Sequence, residues 1–220
     1  MNIYLIRHGR QNSALCNVDV ELSKEGREQA DLTGKRLEKY EIEAVYSSQL
    51  IRAKETADII NNHLNKPRYI DDRWQEADFG GLTGLTNEEL KEKYGEFLAK
   101  RAEMTEDLRY PDGGENCEMI FKRAVEALKD LTKEPYNNVC VVTHGGVLRA
   151  LLTGIMGADY AKWLTVGRQI ENCSITHIFF DEKMGTFHIE RLNDFAHFED
   201  KDYLLRKHFG SGFFNIKNSR

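Results

Sequence analysis

Two adjacent side chains that can bear positive charge, Arg7 and His8, follow the short apolar run NIYLI at residues 2–6 and precede Gly9. The guanidinium group of arginine presents a rigid set of N–H donors that suits the oxygens of a phosphoryl group. A histidine side chain can attack phosphorus and hold the phosphoryl group as a covalent intermediate. The pattern therefore indicates an anion site, with a solvated surface turn as the simpler alternative.

Further polar groups follow three other segments that have the pattern of strands. They are Arg52 after residues 43–47, Glu76 after residues 68–71, and His144 with Gly145 at the end of residues 138–144. Ligands of open α/β sheets bind outside the carboxyl ends of the strands, so we expect these groups to converge at one edge. Taken singly, Arg52 and Glu76 also fit solvated side chains, and His144 fits a core histidine. Their joint placement favours a binding site.

The combination of these groups has a chemical logic. Backbone amides after Gly145 lie at the start of a predicted helix, where the free N–H groups and the helix dipole favour an anion. Neighbouring arginines are expected to lower the pKa of a histidine and to keep its imidazole neutral and nucleophilic. A carboxyl group beside a bound phosphate dianion is expected to keep its proton and to donate it to a leaving oxygen. The site therefore has the parts needed for phosphoryl transfer.

The segments between these groups alternate between strand and helix patterns. Strands are predicted at 2–6, 43–47, 68–71 and 138–144, helices at 23–40, 49–64, 118–132 and 146–156, and a terminal hairpin at 174–181 and 186–192. This alternation is typical of a three-layer α/β/α sandwich with a mostly parallel central sheet. Residues 74–116 form a predicted insertion with a short charged helix, and the tail from about 196 to 220 is either flexible or packed. No linker divides the chain, so 1–220 is predicted to be a single domain.

Composition argues against several classes of partner. The chain has 31 Lys and Arg residues against 36 Asp and Glu residues, which disfavours binding to nucleic acid or to an anionic membrane. It has no apolar stretch near the roughly 18 residues that span a bilayer and no signal-peptide pattern, so we expect a cytoplasmic protein. The 4 cysteines show no C-x-x-C spacing and the 7 histidines no H-x-x-x-H pair, so we expect reduced thiols and no metal.

Six motifs resemble those of the histidine phosphatase superfamily (phosphoglycerate mutase-like) in order and spacing. They are LIRHG, LSKEGREQA, SSQLIRAKETA, EADFGGLTG, GGEN and VVTHGGVLRALL, and the resemblance covers roughly residues 1–180. It implies a phosphoglycerate mutase-like fold in which the insertion at 74–116 is a small helical cap over the pocket. The family needs no metal, we expect no cofactor for this chain, and the ligands of the family are phosphorylated molecules.

The resemblance also implies a role for each candidate residue. His8 resembles the phospho-accepting histidine of the family. Arg7, Arg52 and His144 resemble the other members of its phosphate pocket. Glu76 resembles the acidic residue that protonates the leaving group and later activates water.

The chain departs from the family pattern just after its RHG motif. Family members commonly continue with Glu or Gln and then Thr or Ser, and place an Asn six residues after the histidine, where this chain has Arg10, Gln11 and Ala14. Asn12 is one candidate substrate-binding residue to replace that amide, and Asn17 is another. Arg10 is expected either to add a positive charge for a second acidic group of the substrate or to be solvated.

The leading functional interpretation is a phosphomonoester hydrolase that acts through phospho-His8 on a small phosphorylated metabolite, as a monomer or homodimer. The alternative is a cofactor-dependent phosphoglycerate mutase, an isomerase. The run EADFGGLTGLTNEE keeps only part of the mutase-type pattern, which favours the phosphatase. A non-catalytic phospholigand-binding protein is a third interpretation, and the intact set of candidate catalytic residues disfavours it.

Overall fold

A six-stranded sheet is the centre of the structure, a computed structural model that describes residues 1–206. Its strands are β1 (Asn2–Arg7), β2 (Ala44–Ser47), β3 (Arg68–Ile70), β4 (Asn138–Thr143), β5 (Ile175–Asp181) and β6 (Thr186–Asp194). They lie in the order β3-β2-β4-β1-β5-β6, and the first four run parallel while β5 and β6 are antiparallel. The predicted mostly parallel sheet and terminal hairpin are confirmed.

Helices cover both faces of this sheet. They are α1 (Lys24–Leu37), α2 (Ile51–Leu64), α3 (Asn87–Ala102), α4 (Cys117–Leu131) and α5 (Gly145–Ile155), with short 3₁₀ segments at Glu38–Tyr40, Asp72–Trp74, Gly80–Leu82 and Tyr160–Thr165. Alternate residues of a strand point to opposite faces, so Ile3 and Leu5 pack with α4 and α5, and Ile6 packs with α1 and α2. The three-layer α/β/α sandwich is confirmed. Within residues 1–206, no helix is both long and apolar enough to cross a membrane.

The continuous apolar runs of the central strands follow from this double coverage. Four consecutive residues of β1 and five of β4 are buried, because a parallel strand between two helical layers has no solvent face. Polar residues are therefore confined to the strand ends. Helix α5 begins immediately after β4, with His144 as its N-cap, so its first amides lie at the carboxyl edge of the sheet.

Local capping interactions set the start of the other helices. The Ser23 hydroxyl accepts a hydrogen bond from Gly26 N and begins α1 at the start of the predicted helix 23–40. Asn116, from the GGEN motif, accepts from Met119 N and begins α4. Thr86 begins α3 with a reciprocal capping box to Glu89.

The regions outside the sandwich differ in their packing. The predicted insertion at 74–116 starts in the core, since Trp74 is fully buried and its carbonyl accepts a hydrogen bond from Thr143 Oγ1. Helix α3 lies at the surface, where Leu90 is its one buried residue.

The predicted tail from 196 is packed as far as the structure describes it, because Phe198 and Leu204 are fully buried. Residues 207–220 lie outside the described residues.

Gly26 allows α1 to pack directly on the loop that follows β1. A Cβ atom at this position would lie 2.1 Å from Arg10 O. We expect Gly26→Ala to lower the free energy of unfolding by about 1–3 kcal/mol, because the backbone of the loop has to move. Urea denaturation measures this change. The matched control is Gly95→Ala in α3, where a Cβ meets no atom within 4 Å and should leave stability unchanged or raise it by up to about 1 kcal/mol. Equal effects of the two variants would contradict this packing.

Candidate active site

The backbone of the loop after β1 is held from three sides. His8 N donates to Thr143 O at 2.9 Å, at the end of the neighbouring strand β4. Asn172 Nδ2 donates to His8 O at 2.7 Å, and Gly9 N donates to Thr56 Oγ1 in α2 at 2.9 Å. These bonds place the His8 side chain at the carboxyl edge of the sheet.

The imidazole of His8 has its tautomer set by the backbone. Its Nδ1 lies 2.7 Å from Gly9 O, and a carbonyl only accepts, so Nδ1 bears the proton and Nε2 has the lone pair. Burial lowers the pKa of His8 well below its ordinary value, and Arg52, His144 and Arg7 lower it further. The expected neutral imidazole is therefore present, although burial rather than the arginines is the largest cause.

His144 lies beside this imidazole. The ring centroids of His8 and His144 are 5.0 Å apart, and His144 Nε2 lies 2.7 Å from Ser48 Oγ at the end of β2. Burial, together with Arg52 and Arg7, also lowers the pKa of His144 well below its ordinary value. Two neutral imidazoles can thus share a site with two guanidinium groups.

The two arginines are held by carbonyl and amide oxygens of nearby loops. Arg52 is 1% exposed; its Nη1 donates to Val18 O and its Nη2 to Asn17 Oδ1, each at 2.9 Å. Arg7 Nη1 donates to Ile170 O. Burial lowers the pKa of Arg7 to about 10, so the group still bears its charge at neutral pH.

Three buried nitrogens of this group have no hydrogen-bond partner among residues 1–206. They are Arg7 Nε, Arg52 Nε and His144 Nδ1. Buried polar atoms in folded proteins are nearly always satisfied, so each exception needs an explanation such as a catalytic role. The convergence of three such atoms fits a ligand with several oxygen acceptors, as a phosphoryl group has.

Glu76 occupies the N-terminus of α5. Its Oε1 accepts from Gly146 N and from Ala77 N, both at 3.0 Å. Gly146 permits this approach, because a Cβ at that position would lie 2.5 Å from Glu76 Oε1. The Gly146 amide, which the sequence predicts to bind the substrate anion, therefore donates to the carboxyl group of Glu76 instead.

A clamp from α4 holds the backbone that bears Glu76. Arg123 Nη2 donates to Glu76 O at 3.2 Å, and its Nη1 donates to Gln75 O at 2.8 Å. The same guanidinium pairs with Glu115 through both carboxylate oxygens, at 2.8 and 2.9 Å. Glu115 Oε2 in turn accepts from Asp78 N at 2.9 Å, so the GGEN and EADFG motifs form one structural unit.

The structure brings together most of the residues singled out from the sequence. One edge of the sheet holds the five candidate catalytic residues, Arg7, His8, Arg52, Glu76 and His144. Gly145 also lies there, because a Cβ atom at this position would be 3.4 Å from Arg7 Nε.

Asn12 and Arg10 have other surroundings. Asn12 is exposed and its backbone N donates to Glu21 O, while Asn17 contacts Arg52. Arg10 donates to carbonyl groups of residues 203–205.

Sequence reasoning missed several polar residues around the site. Arg149 in α5 donates to Gly167 O at 3.1 Å. The sequence signal that could have identified it is its position on the first turns of α5, four residues after Gly145. Glu171 is 4% exposed and acts electrostatically on Arg7. No local pattern marked Glu171. Among residues 1–206, no group of three or more His, Cys, Asp or Glu side chains is suited to hold a metal ion.

Comparison with known proteins agrees with this geometry. The family model described as the histidine phosphatase superfamily (branch 1) matches residues 3–194. This chain belongs to the histidine phosphatase superfamily. Phosphoserine phosphatase 1 of Hydrogenobacter thermophilus is 30% identical over 206 residues, which cover 90% of this chain and 94% of that protein.

Two further proteins extend the comparison. Phosphoglycerate mutase-like protein 4 of Arabidopsis thaliana is 32% identical over 218 residues, which cover 92% of this chain and 89% of that protein. The structure of a mycobacterial glucosyl-3-phosphoglycerate phosphatase in complex with VO3 matches this chain with a TM-score of 0.77 and 25% identity. The match covers 88% of this chain and 98% of the mycobacterial chain. The phosphoglycerate mutase-like fold and the expected superfamily are confirmed.

The buried histidines of this histidine phosphatase predict a loss of stability in mild acid. The folded-state pKa values of His8 and His144 are lowered, so the unfolded chain takes up protons first as the pH falls below about 6.5. Each histidine should then reduce the free energy of unfolding by about 1.4 kcal/mol per pH unit, once the pH is well below 6.5 and still above its folded-state pKa. Urea unfolding between pH 7.5 and 5 measures the slope.

The matched variants are His8→Gln and His188→Gln. The first removes a buried titrating group and should reduce the slope by about 1.4 kcal/mol per pH unit. The second removes an exposed histidine of β6 and should leave the slope unchanged. An identical slope in His8→Gln and the wild type would contradict the neutral state of the His8 imidazole.

Proposed function

We propose that this chain hydrolyses phosphomonoesters of small metabolites through a covalent phosphohistidine on His8. The observation that supports this most directly is the neutral imidazole of His8, whose Nδ1 proton is held by Gly9 O and whose Nε2 has a lone pair. A nucleophile of this kind beside Arg7 and Arg52 suits an attack on phosphorus and not only the binding of phosphate.

In the first half-reaction, His8 Nε2 forms a bond to phosphorus as the bond from phosphorus to the leaving oxygen breaks. The protonated carboxyl group of Glu76 gives its proton to that oxygen, so that an alcohol leaves. The donors of Arg7 and Arg52, with the imidazole of His144, stabilise the negative charge on the three remaining oxygens. The products of this step are an alcohol, phospho-His8 and a Glu76 carboxylate.

In the second half-reaction, the Glu76 carboxylate takes a proton from water. The water oxygen forms a bond to phosphorus, and the bond from phosphorus to His8 Nε2 breaks with its electron pair returning to the imidazole. Inorganic phosphate leaves, and Glu76 again bears a proton. The bond from Gly146 N to Glu76 Oε1 keeps this carboxyl group in position through both steps.

The names of the relatives support hydrolysis of a small phosphorylated molecule. One relative is named for phosphoserine and a structural neighbour for glucosyl-3-phosphoglycerate, both as phosphatases. Another relative is named as phosphoglycerate mutase-like. Conversion of 3-phosphoglycerate to 2-phosphoglycerate in the presence of the bisphosphoglycerate, without release of phosphate, would contradict the hydrolase and favour the mutase.

His8→Ala is expected to lower kcat/KM for p-nitrophenyl phosphate by about 10³-fold or more, because it removes the nucleophile. Rapid denaturation in base during turnover of a ³²P-labelled ester should leave label on the wild type that acid then releases. His188→Ala, at an exposed position, is the control and should retain full activity and labelling. Activity of His8→Ala near that of the wild type would rule out His8 as the nucleophile.

Glu76→Gln is expected to lower kcat/KM more for esters with poor leaving groups than for esters with good ones. The two losses should differ by a factor of about 10², because a good leaving group needs less protonation. The measurement is kcat/KM across a series of aryl and alkyl phosphates of rising leaving-group pKa. Exposed Glu88→Gln in α3 is the control. Equal losses across the series would contradict the role of Glu76 as the acid.

A further inference from the structure

The side chain of Arg149 returns along α5 to the edge of the phosphate pocket. A long side chain on a helix points towards the helix N-terminus, and Arg149 lies four residues after Gly145, the first residue of α5. A Cβ atom at Gly145 would be 3.9 Å from Arg149 Nη1 and 3.4 Å from Arg7 Nε. The guanidinium groups of Arg149 and Arg7 therefore meet at the same point, where α5 begins.

Much of the Arg149 guanidinium has no acceptor in the protein. Both of its side-chain hydrogen bonds are made by Nη2, to Gly167 O at 3.1 Å and to Arg168 O at 3.4 Å. Its Nε is buried and has no hydrogen-bond partner among residues 1–206. Within the same residues, Arg149 forms no ion pair with an Asp or Glu side chain. Since a guanidinium has five N–H donors, the donors of Nε and Nη1 remain for a ligand.

The charge balance around Arg149 depends on the proton of Glu76. Burial lowers the pKa of Arg149, the charge of Glu76 raises it, and the charge of Arg101 lowers it again. In the proposed mechanism, Glu76 bears a proton when the substrate binds, so Arg149 then loses the attraction of that carboxylate. A guanidinium held out of water without an anionic partner is costly. A second anionic group on the substrate supplies the missing partner.

We propose that Arg149 binds a carboxylate of the phosphomonoester substrate, beside the phosphoryl group that Arg7 and Arg52 bind. The planar guanidinium fork matches the two oxygens of a carboxylate. This inference rests on the proposed function, because it concerns the same substrate. It assigns the second positive charge to α5 and not to Arg10, whose Nη2 donates to Leu204 O and Leu205 O.

Two pairs of probes that differ at the carboxylate test this assignment. O-phosphoserine and phosphoethanolamine form one pair, and 3-phosphoglycerate and glycerol 3-phosphate the other. Both carboxylates are attached to the second carbon after the ester oxygen, so they lie at the same reach from phosphorus. In at least one pair, the wild type should prefer the carboxylate by about 10-fold or more in kcat/KM.

Substitution of Arg149 separates the charge from the packing of the side chain. Arg149→Met should remove the preference for the carboxylate, mainly through a higher KM for the probe that bears it. Arg149→Lys keeps a positive charge and should retain part of the preference. Arg191→Met, on β6 where Arg191 is paired with Tyr40, is the control and should keep the wild-type preference. An equal loss of preference in Arg149→Lys and Arg149→Met would overturn the assignment, because the charge would then not matter.

Two other outcomes assign the charge elsewhere. Arg101 of α3 is the cation that acts on Arg149, and its guanidinium carbon lies 4.6 Å from the ring centroid of Tyr110 and 5.1 Å from that of Trp163. Loss of the preference in Arg101→Gln but not in Arg149→Met would overturn the assignment to Arg149. Equal losses for both members of each pair in Arg149→Met would place Arg149 on the transferred phosphoryl group and would overturn it too.

The failure of this inference is distinguishable from failure of the proposed function. A wild type that releases no phosphate from p-nitrophenyl phosphate or from any of the four probes contradicts the hydrolase itself. A wild type that hydrolyses them with no preference for the carboxylate in either pair overturns only the inference about Arg149. An unchanged preference in Arg149→Met overturns it as well.

Discussion

Positive charge held next to a neutral, buried imidazole is the constraint on which the rest of this structure depends. Arg7 and Arg52 lie beside His8, and a buried charge without partners costs several kcal/mol. Each guanidinium therefore has to meet oxygen acceptors, which Ile170 O supplies for Arg7 and Val18 O for Arg52. These acceptors belong to different loops, so their contacts fix the loops relative to the strands and give the pocket its shape.

The same edge of the sheet positions the carboxyl group of Glu76 close to Arg7 and Arg52. Glu76 meets the N-terminus of α5, and Arg123 holds its backbone from α4. The orientation of this carboxyl group is thus established when the chain folds and not when a substrate binds. Such preorganisation is the usual source of catalytic power in sites that stabilise developing charge.

The residues after β6 show how Arg10, a departure from the family pattern, contacts a part of the chain far away in sequence. Arg10 replaces the usual acidic or amide residue after the RHG motif, and its side chain contacts the carbonyls of Tyr203, Leu204 and Leu205. Nearly the whole length of the chain separates these partners. Arg10 therefore joins the loop that bears His8 to residues 203–205, while His8 keeps its own contacts with Thr143 and Gly9.

The sequence by itself determined the strands, the helix starts and the polar groups at the strand ends. Unbroken apolar runs such as residues 139–142 require burial on both faces, and caps such as Ser23 and Asn116 act within three residues along the chain. These are local properties of the chain and can be read without a structure.

Only the tertiary structure decided that Asn17 rather than Asn12 contacts Arg52, and that His144 pairs with Ser48. It also decided that Ile170 and Glu171 lie close to Arg7. These contacts join residues that are far apart in the chain, and they depend on the exact path of loops. The spacing of residue types along the chain does not predict the path of a loop. That path depends on which oxygen atoms contact the buried charges at the sheet edge, and these contacts form only when all the strands are in place.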